Sequence, residues 1–195
     1  MLRPPALRPG DTVSVFAASS PFEPTLAFRG LGWLAERYRV RFSRRIFDTC
    51  GYLAGADEAR LQELTSALND PNVKALIAMR GGYGINRIAH LVDWSIIKRN
   101  PKWIVGFSDV TALHVEMAAQ DTMSMHATMV AQLGRADHRA RTQWLQSLES
   151  PQSPMGWTNL QPWNRGTAQG QLFGGNLTVL HACAVARRLH IPPNA

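Results

Sequence analysis

Residues 102–114 read K-W-I-V-G-F-S-D-V-T-A-L-H, and the fold turns on how they are taken. Trp103, Ile104 and Val105 form a short apolar, β-rich run of the kind buried on both faces of a parallel sheet. Gly106 breaks that run. From Asp109 onward, apolar residues fall at Val110, Leu113, Met117 and Ala118, which is helical spacing. Ser108 is thereby expected on a strand-to-helix turn, its hydroxyl at the C-terminal edge of a sheet, where ligands bind in open α/β folds. The first N–H groups of the following helix have no intrahelical partner and can face a developing negative charge. A Ser-Asp pair before a helix is also an ordinary N-cap, so Ser108 is either a nucleophile or a cap. The five-residue G-x-S-x-G elbow is not matched, because Val110 stands where that motif has its last glycine.

Upstream, Val73 to Met79 is a second buried-strand candidate, running into Arg80-Gly81-Gly82-Tyr83-Gly84. Thr12 to Ala18 reads as a first strand between Pro9-Gly10-Asp11 and Ser19-Ser20-Pro21, and Val40 to Ile46 as an arginine-studded edge strand. Helices are expected over 25–38, 57–68 and 85–91, although glycines at 30 and 32 weaken the first. This alternation implies an α/β fold, a parallel sheet flanked by helices. The strands ending at Met79 and Val105 are consecutive, and parallel neighbours lie about 4.8 Å apart. The glycine loop and the Ser108 turn are then expected to open into one crevice. A glycine-rich loop after a strand can cradle phosphate, but G-G-Y-G fits neither G-x-G-x-x-G nor the lysine-bearing P-loop.

Downstream, Met123 to Val130 reads as a strand carrying His126, and Arg139 to Leu148 as a helix. Residues 149–169 change character, with three prolines and no sustained period. Residues 170–188 resume as a short strand, Gly174-Gly175-Asn176 and an apolar helix. The expected organisation is an N-terminal α/β domain over 1–148, a linker over 149–169 and the opening of a second domain over 170–195.

The 195 residues, 45% hydrophobic and 18% charged, suffice for one good core and part of another. Twenty-one basic against 14 acidic residues leave a formal net charge of +7. The arginines crowd at Arg37, Arg39, Arg41, Arg44 and Arg45 and again at Arg135, Arg139 and Arg141. Such patches attract anions, yet no nucleic-acid motif accompanies them, and a solvated face is the expectation. Cys50 and Cys183 form no C-x-x-C pair, which fits a reducing compartment. The N-terminus lacks an apolar signal core and no run approaches a membrane span, so a cytoplasmic protein with no membrane partner is expected. The six histidines form no H-E-x-x-H or Cys/His cluster, so no metal is expected. His114-Val115-Glu116 matches the deaminase H-x-E, but the accompanying P-C-x-x-C is absent, which leaves His114 as a surface or buried helix residue.

The chain resembles the LD-carboxypeptidases of the S66 serine peptidase family, which includes the microcin C7 immunity peptidases. The matching pieces are P-G-D-T-V-S-V-F-A-A-S-S-P at 9–21, A-G-A-D-E-A-R-L-Q-E-L at 54–64, A-M-R-G-G-Y-G at 78–84, V-D-W at 92–94, K-W-I-V-G-F-S-D-V-T-A-L at 102–113 and G-Q-L-F-G-G-N-L at 170–177. The resemblance implies a Rossmann-like nucleophile domain and an incomplete second domain. It implies Ser108 as nucleophile, with an oxyanion hole at the N–H groups of Asp109 and Gly82. It also implies substrate contacts from Gly81, Tyr83 and Asn176. The implied reaction removes terminal D-alanine from murein tetrapeptides at an L-diaminopimelate or L-lysine centre during peptidoglycan recycling, without metal or other cofactor. A homodimer is implied as well. In the family the activating Glu and His lie downstream of the G-G-N helix, beyond the last residue of this sequence. His126, on a strand expected to approach the crevice, is the one histidine here worth testing as a base, and a purely structural role is its other reading. Without that base the expectation is a serine peptidase domain that gives no useful turnover as this chain alone, or a catalytically dead murein-peptide binding or interaction module of the same fold.

Overall fold

The computed structural model describes residues 1–153, 156, 160–193 and 195. The apolar runs become strands β1 (Thr12–Phe16), β2 (Arg39–Arg41), β3 (Val73–Ala78), β4 (Trp103–Gly106) and β5 (Met125–His126). Between and after them lie helices α1 (Pro24–Ala35), α2 (Asp57–Asn69), α3 (Ile85–Ile88), α4 (Ile96–Arg99), α5 (Thr111–Ala119), α6 (Val130–Leu133), α7 (His138–Glu149) and α8 (Leu177–Val185). The strands form one sheet in the order β2-β1-β3-β4-β5, every neighbouring pair parallel. β3 and β4 are adjacent, with Leu76 opposite Ile104 and Ile77 opposite Val105.

Side chains alternate across a strand, so each central strand feeds two cores. Phe16, Leu76 and Ile104 pack with Leu64 and Leu68 of α2 and with Leu113 and Met117 of α5. Val13, Val15, Ile77 and Val105 face the opposite way, toward Leu31 and Leu34 of α1 and Trp144 and Leu148 of α7. Burial on both faces explains why these strands read as continuous apolar runs rather than alternating ones. The strand order reverses between β1 and β3, because β1 leads outward to β2 and β3 outward to β4. In open α/β sheets, ligands bind outside the C-terminal ends of the strands at such a reversal.

Three expected strands shrink or vanish. β2 stops at Arg41 because Ser43 caps a 3₁₀ turn over Arg44–Phe47, its hydroxyl accepting from Arg45 N at 3.1 Å, and that turn buries Ile46. Of 123–130 only Met125 and His126 pair with β4, and Val130 already begins α6. No strand precedes α8 among the described residues; Asn176 instead caps that helix, its side chain accepting from Val179 N at 3.1 Å. The helix expected over 85–91 is α3 followed by a 3₁₀ turn at Ala89–Leu91. No described helix is long and apolar enough to cross a membrane.

The two glycines of α1 differ in kind. A Cβ on Gly30 would lie 2.0 Å from the Val130 carbonyl oxygen, whereas one on Gly32 meets nothing within 4 Å. Gly30→Ala is expected to destabilise the protein by about 2–3 kcal/mol through overpacking of α1 on α6. Gly32→Ala is expected to stabilise it by about 0.5–1 kcal/mol through helix propensity. Urea unfolding of the two variants checks this opposition of sign.

Glu63 of α2 gives the fold a pH dependence. One of its carboxylate oxygens is buried without a partner among the described residues. Burial pushes its pKa from the ordinary 4.5 up to about 7, although the N–H groups of Ala17 and Ser43 pull it back. The folded state thus holds a proton that the unfolded chain has released, and this group's contribution to stability rises as pH falls from about 7 toward 4.5. Glu63→Gln is expected to remove that rise and to stabilise the protein at pH 8, on the order of 1–3 kcal/mol. Unfolding midpoints at pH 5 and pH 8 measure it.

Candidate active site

β4 delivers the chain to the C-terminal edge of the sheet, and the turn that follows is strained. Phe107 is extended at φ −146°, and Ser108 then takes φ +63°, in the left-handed region. A non-glycine residue held there costs roughly 1–3 kcal/mol and persists only where its surroundings over-determine it. A 3₁₀ turn over Ser108–Val110 leads into α5. Gly106 is required for this path, since a Cβ on it would lie 2.7 Å from Val110 Cγ2.

The N-cap reading of Ser108 does not hold. A capping residue has extended backbone and accepts from an N–H two or three residues on. Ser108 is left-handed, Phe107 occupies the cap position, and no side chain caps the turn. Among the described residues Ser108 Oγ has no hydrogen-bond partner.

Its neighbour is the glycine loop after β3. A Cβ on Gly81 would stand 3.1 Å from Ser108 Cβ and 3.3 Å from its Oγ, so that loop lies directly against the serine. Gly82, at φ +136°, passes so close to the loop after β1 that a Cβ would lie 2.2 Å from Ser20 Oγ. Ser20 Oγ accepts from Tyr83 N at 3.3 Å, while the Tyr83 ring is exposed with its centroid 5.8 Å from that of Tyr52. The glycine loop and the Ser108 turn thus lie side by side, as strand adjacency predicts, with Gly81 against Ser108 and Gly82 against Ser20.

Asp109 ties the three loops together. Its buried carboxylate accepts from Ser19 Oγ at 2.7 Å and from Ile85 N at 3.0 Å. Ile85 opens α3, whose own cap residue, Gly84, has no side chain to offer, so Asp109 caps that helix from the neighbouring turn. Burial pushes the Asp109 carboxyl up, and the Ile85 N–H, the Ser19 hydroxyl and the Arg60 charge pull it back. Arg60, buried on α2, donates to the carbonyl of Ala18 and pairs with Asp57. Gly84 leaves it room, because a Cβ there would be 2.9 Å from Arg60 Nη1.

Asn176 sits one turn further along. Its N–H donates to Thr111 Oγ1 at 2.9 Å and its side chain is committed to capping α8. Arg188, just past α8, pairs with Glu116 of α5 through Nε at 3.1 Å, so α8 is held on α5 at both ends. His126 lies beside Phe107, ring centroids 6.1 Å apart, and beside His114 at 5.8 Å. Sequence reasoning missed Ser19, Ser20 and Arg60. All three stand inside quoted segments, S-S-P and D-E-A-R, but nothing in those segments shows which polar residue turns inward.

The N-terminal domain model of the LD-carboxypeptidases, family S66, matches residues 13–127. The chain is 37% identical over 191 residues to a Bacillus subtilis protein named "Probable murein peptide carboxypeptidase", covering 91% of this chain and 58% of that protein. It is 29% identical over 153 residues to the murein tetrapeptide carboxypeptidase of Pseudomonas aeruginosa, covering 72% and 50% respectively. The crystal structure of muramoyltetrapeptide carboxypeptidase from Oxalobacter formigenes superposes with a TM-score of 0.78 at 24% identity, over 91% of this chain and 61% of that one, a likeness of fold. The chain spans about three fifths of the length of the curated relatives it matches, 59%, 58% and 61% for three of them. With a family model over more than half its length and a five-stranded parallel sheet shared with that solved structure, the chain belongs to the LD-carboxypeptidase family S66.

Proposed function

We propose that Ser108 is the nucleophile of an LD-carboxypeptidase that removes terminal D-alanine from murein tetrapeptides at an L-diaminopimelate or L-lysine centre. The observation that carries this reading is the left-handed serine at the end of β4, pressed against Gly81. Strain of that kind at a sheet's C-terminal edge serves to expose a reactive side chain. Ser108 Oγ attacks the carbonyl carbon of the L-D bond, and the oxygen becomes an oxyanion. The N–H groups of Asp109 and Gly82 are the proposed donors to it, stabilisation of a kind often worth a few kcal/mol. The proton given up by Ser108 Oγ passes to the nitrogen of the breaking C–N bond, D-alanine leaves as the free amine, and water then hydrolyses the acyl-serine and restores the Ser108 hydroxyl. Gly81, Tyr83 and Asn176 line the proposed substrate crevice. Residues 1–148 form the proposed nucleophile domain, 149–169 the linker and 170–195 the opening of the second domain. The proposed setting is cytoplasmic peptidoglycan recycling, with the protein a homodimer.

A second reading rests on the same hydroxyl. Ser108 Oγ has no partner among the described residues to take its proton, and an unactivated serine is a poor nucleophile at neutral pH. The 195-residue chain by itself then binds murein peptide without useful turnover. D-Alanine release from a murein tetrapeptide separates the two readings. It is measured with the chain alone and with the C-terminal part of the Bacillus subtilis relative supplied in trans. Release restored by that addition supports the enzyme. Tight binding with no release under either condition supports the binding module.

A further inference from the structure

Gly106 is the last residue of β4, and its carbonyl oxygen accepts two hydrogen bonds. One comes from Ala127 N at 3.1 Å, continuing the line of β5, and the other involves His114 Nε2 at 2.9 Å. A carbonyl can only accept, so Nε2 carries the ring proton. Nδ1 is then bare and accepts from Ser124 Oγ, 2.8 Å away. The carbonyl thus selects one neutral tautomer, and the Ser124 hydroxyl accommodates it. Burial agrees with this, pushing the His114 pKa down to about 4, with His126 opposing protonation as well. The His126 ring in turn lies beside both His114 and Phe107. Both residues that lead into Ser108, Gly106 by its carbonyl and Phe107 by its ring, are thus braced by a histidine.

We infer that His114, its tautomer set by the Gly106 carbonyl and accommodated by Ser124, is a positioning residue for Ser108: it holds that carbonyl and so fixes the direction in which the chain leaves β4. The inference rests on Ser108 being the nucleophile. A strained turn needs such a hold, because relaxation of Ser108 toward ordinary φ is otherwise favourable. It swings the hydroxyl away from Gly81. A buried histidine that merely satisfied its own polar atoms has no reason to act on that turn rather than on the helix that carries it.

The test compares the wild-type chain with His114→Leu, His114→Gln and Ser124→Ala. The probe is a fluorophosphonate, which reacts with activated serines, and the limiting labelling rate is separated from the half-saturating concentration. Amide hydrogen exchange at Ser108 and Asp109 and the urea unfolding midpoint are read alongside. His114→Leu is expected to slow limiting labelling by about tenfold to a hundredfold, with half-saturation changed by less than about twofold, as for displacement of a reacting group. Exchange at Ser108 and Asp109 should quicken while that at Leu76 and Ile104 does not. His114→Gln, whose amide can donate to Gly106 and accept from Ser124, should recover labelling to within about threefold. Ser124→Ala should fall between them. Long-range proton–nitrogen NMR should find the proton of His114 on Nε2.

The inference is overturned by a proton on Nδ1, by a His114→Leu variant that labels and exchanges like wild type, or by exchange that quickens equally at every amide. Failure of His114→Gln to recover at equal stability also overturns it. Absence of labelling in the wild type, both alone and with the C-terminal part of the Bacillus subtilis relative supplied in trans, refutes the nucleophile. In that case local exchange alone still decides whether His114 holds the turn.

Discussion

Ser108→Ala is expected to abolish covalent capture by a fluorophosphonate and to lower D-alanine release by about a thousandfold or more, the scale on which removal of a nucleophile acts. The fold should survive the change. Ser108 Oγ makes no hydrogen bond among the described residues, so alanine removes no contact that holds the turn. Alanine also bears the same left-handed backbone penalty as serine, and the unfolding free energy should move by less than about 0.5 kcal/mol. Ser108→Gly sharpens the point. Glycine adopts φ +63° without strain, so this variant should be more stable than wild type by roughly 1 kcal/mol and equally dead. A residue kept as serine at the expense of stability is the mark of a site held for function. Circular dichroism, urea unfolding and labelling on the three proteins check each part.

The second large effect is expected at Gly82. Gly82→Ala places a Cβ 2.2 Å from Ser20 Oγ and forces an L side chain onto φ +136°. Neither the loop after β1 nor the loop after β3 can yield freely, because Ser19 is tied to Asp109 and Ser20 Oγ accepts from Tyr83 N. The Gly82 N–H must therefore move, and with it the proposed oxyanion donor. A loss of about 10²–10³ in limiting rate is expected, the usual cost of one such donor. Stability should also fall by about 1–3 kcal/mol from overpacking and backbone strain. Trimming the obstacle with Ser20→Gly in the double variant should return much of the stability. It should return less of the rate, since the strained φ remains. Recovery of both in full would mean that the clash alone mattered and that Gly82 N–H has no part in the chemistry.

Much of this arrangement could be read from the residues. β3 and β4 are short apolar runs ended by glycine, and their order along the chain is enough to make them neighbours and to bring Gly81 against Ser108. The role of Ser108 could not be settled that way. A Ser-Asp pair before a helix fits a cap as well as an exposed hydroxyl, and what excludes the cap is the sign of one φ angle. That sign depends on Gly106, Val110 and the braces behind them.

The edge strands were over-read for a related reason. β-rich composition shows that a segment can be a strand, while the number of residues that pair depends on the partner. β4 offers β5 two positions, and Ser43 ends β2 by capping a turn. Buried polar residues were the least legible. Arg60 occupies a helix position that reads as solvated, yet it is buried because Gly84 makes space and the Ala18 carbonyl needs a donor. His114 likewise owes its place to a carbonyl on β4 and a hydroxyl beside β5, partners that helical periodicity cannot supply.

The most direct test of the central claim is peptide mapping by mass spectrometry of the protein after reaction with a fluorophosphonate, with D-alanine release followed on the same samples. A single adduct on Ser108 is expected, lost in Ser108→Ala, with any D-alanine release lost alongside it. Labelling of another residue, or D-alanine release that persists in Ser108→Ala, would contradict the assignment of Ser108 as the nucleophile.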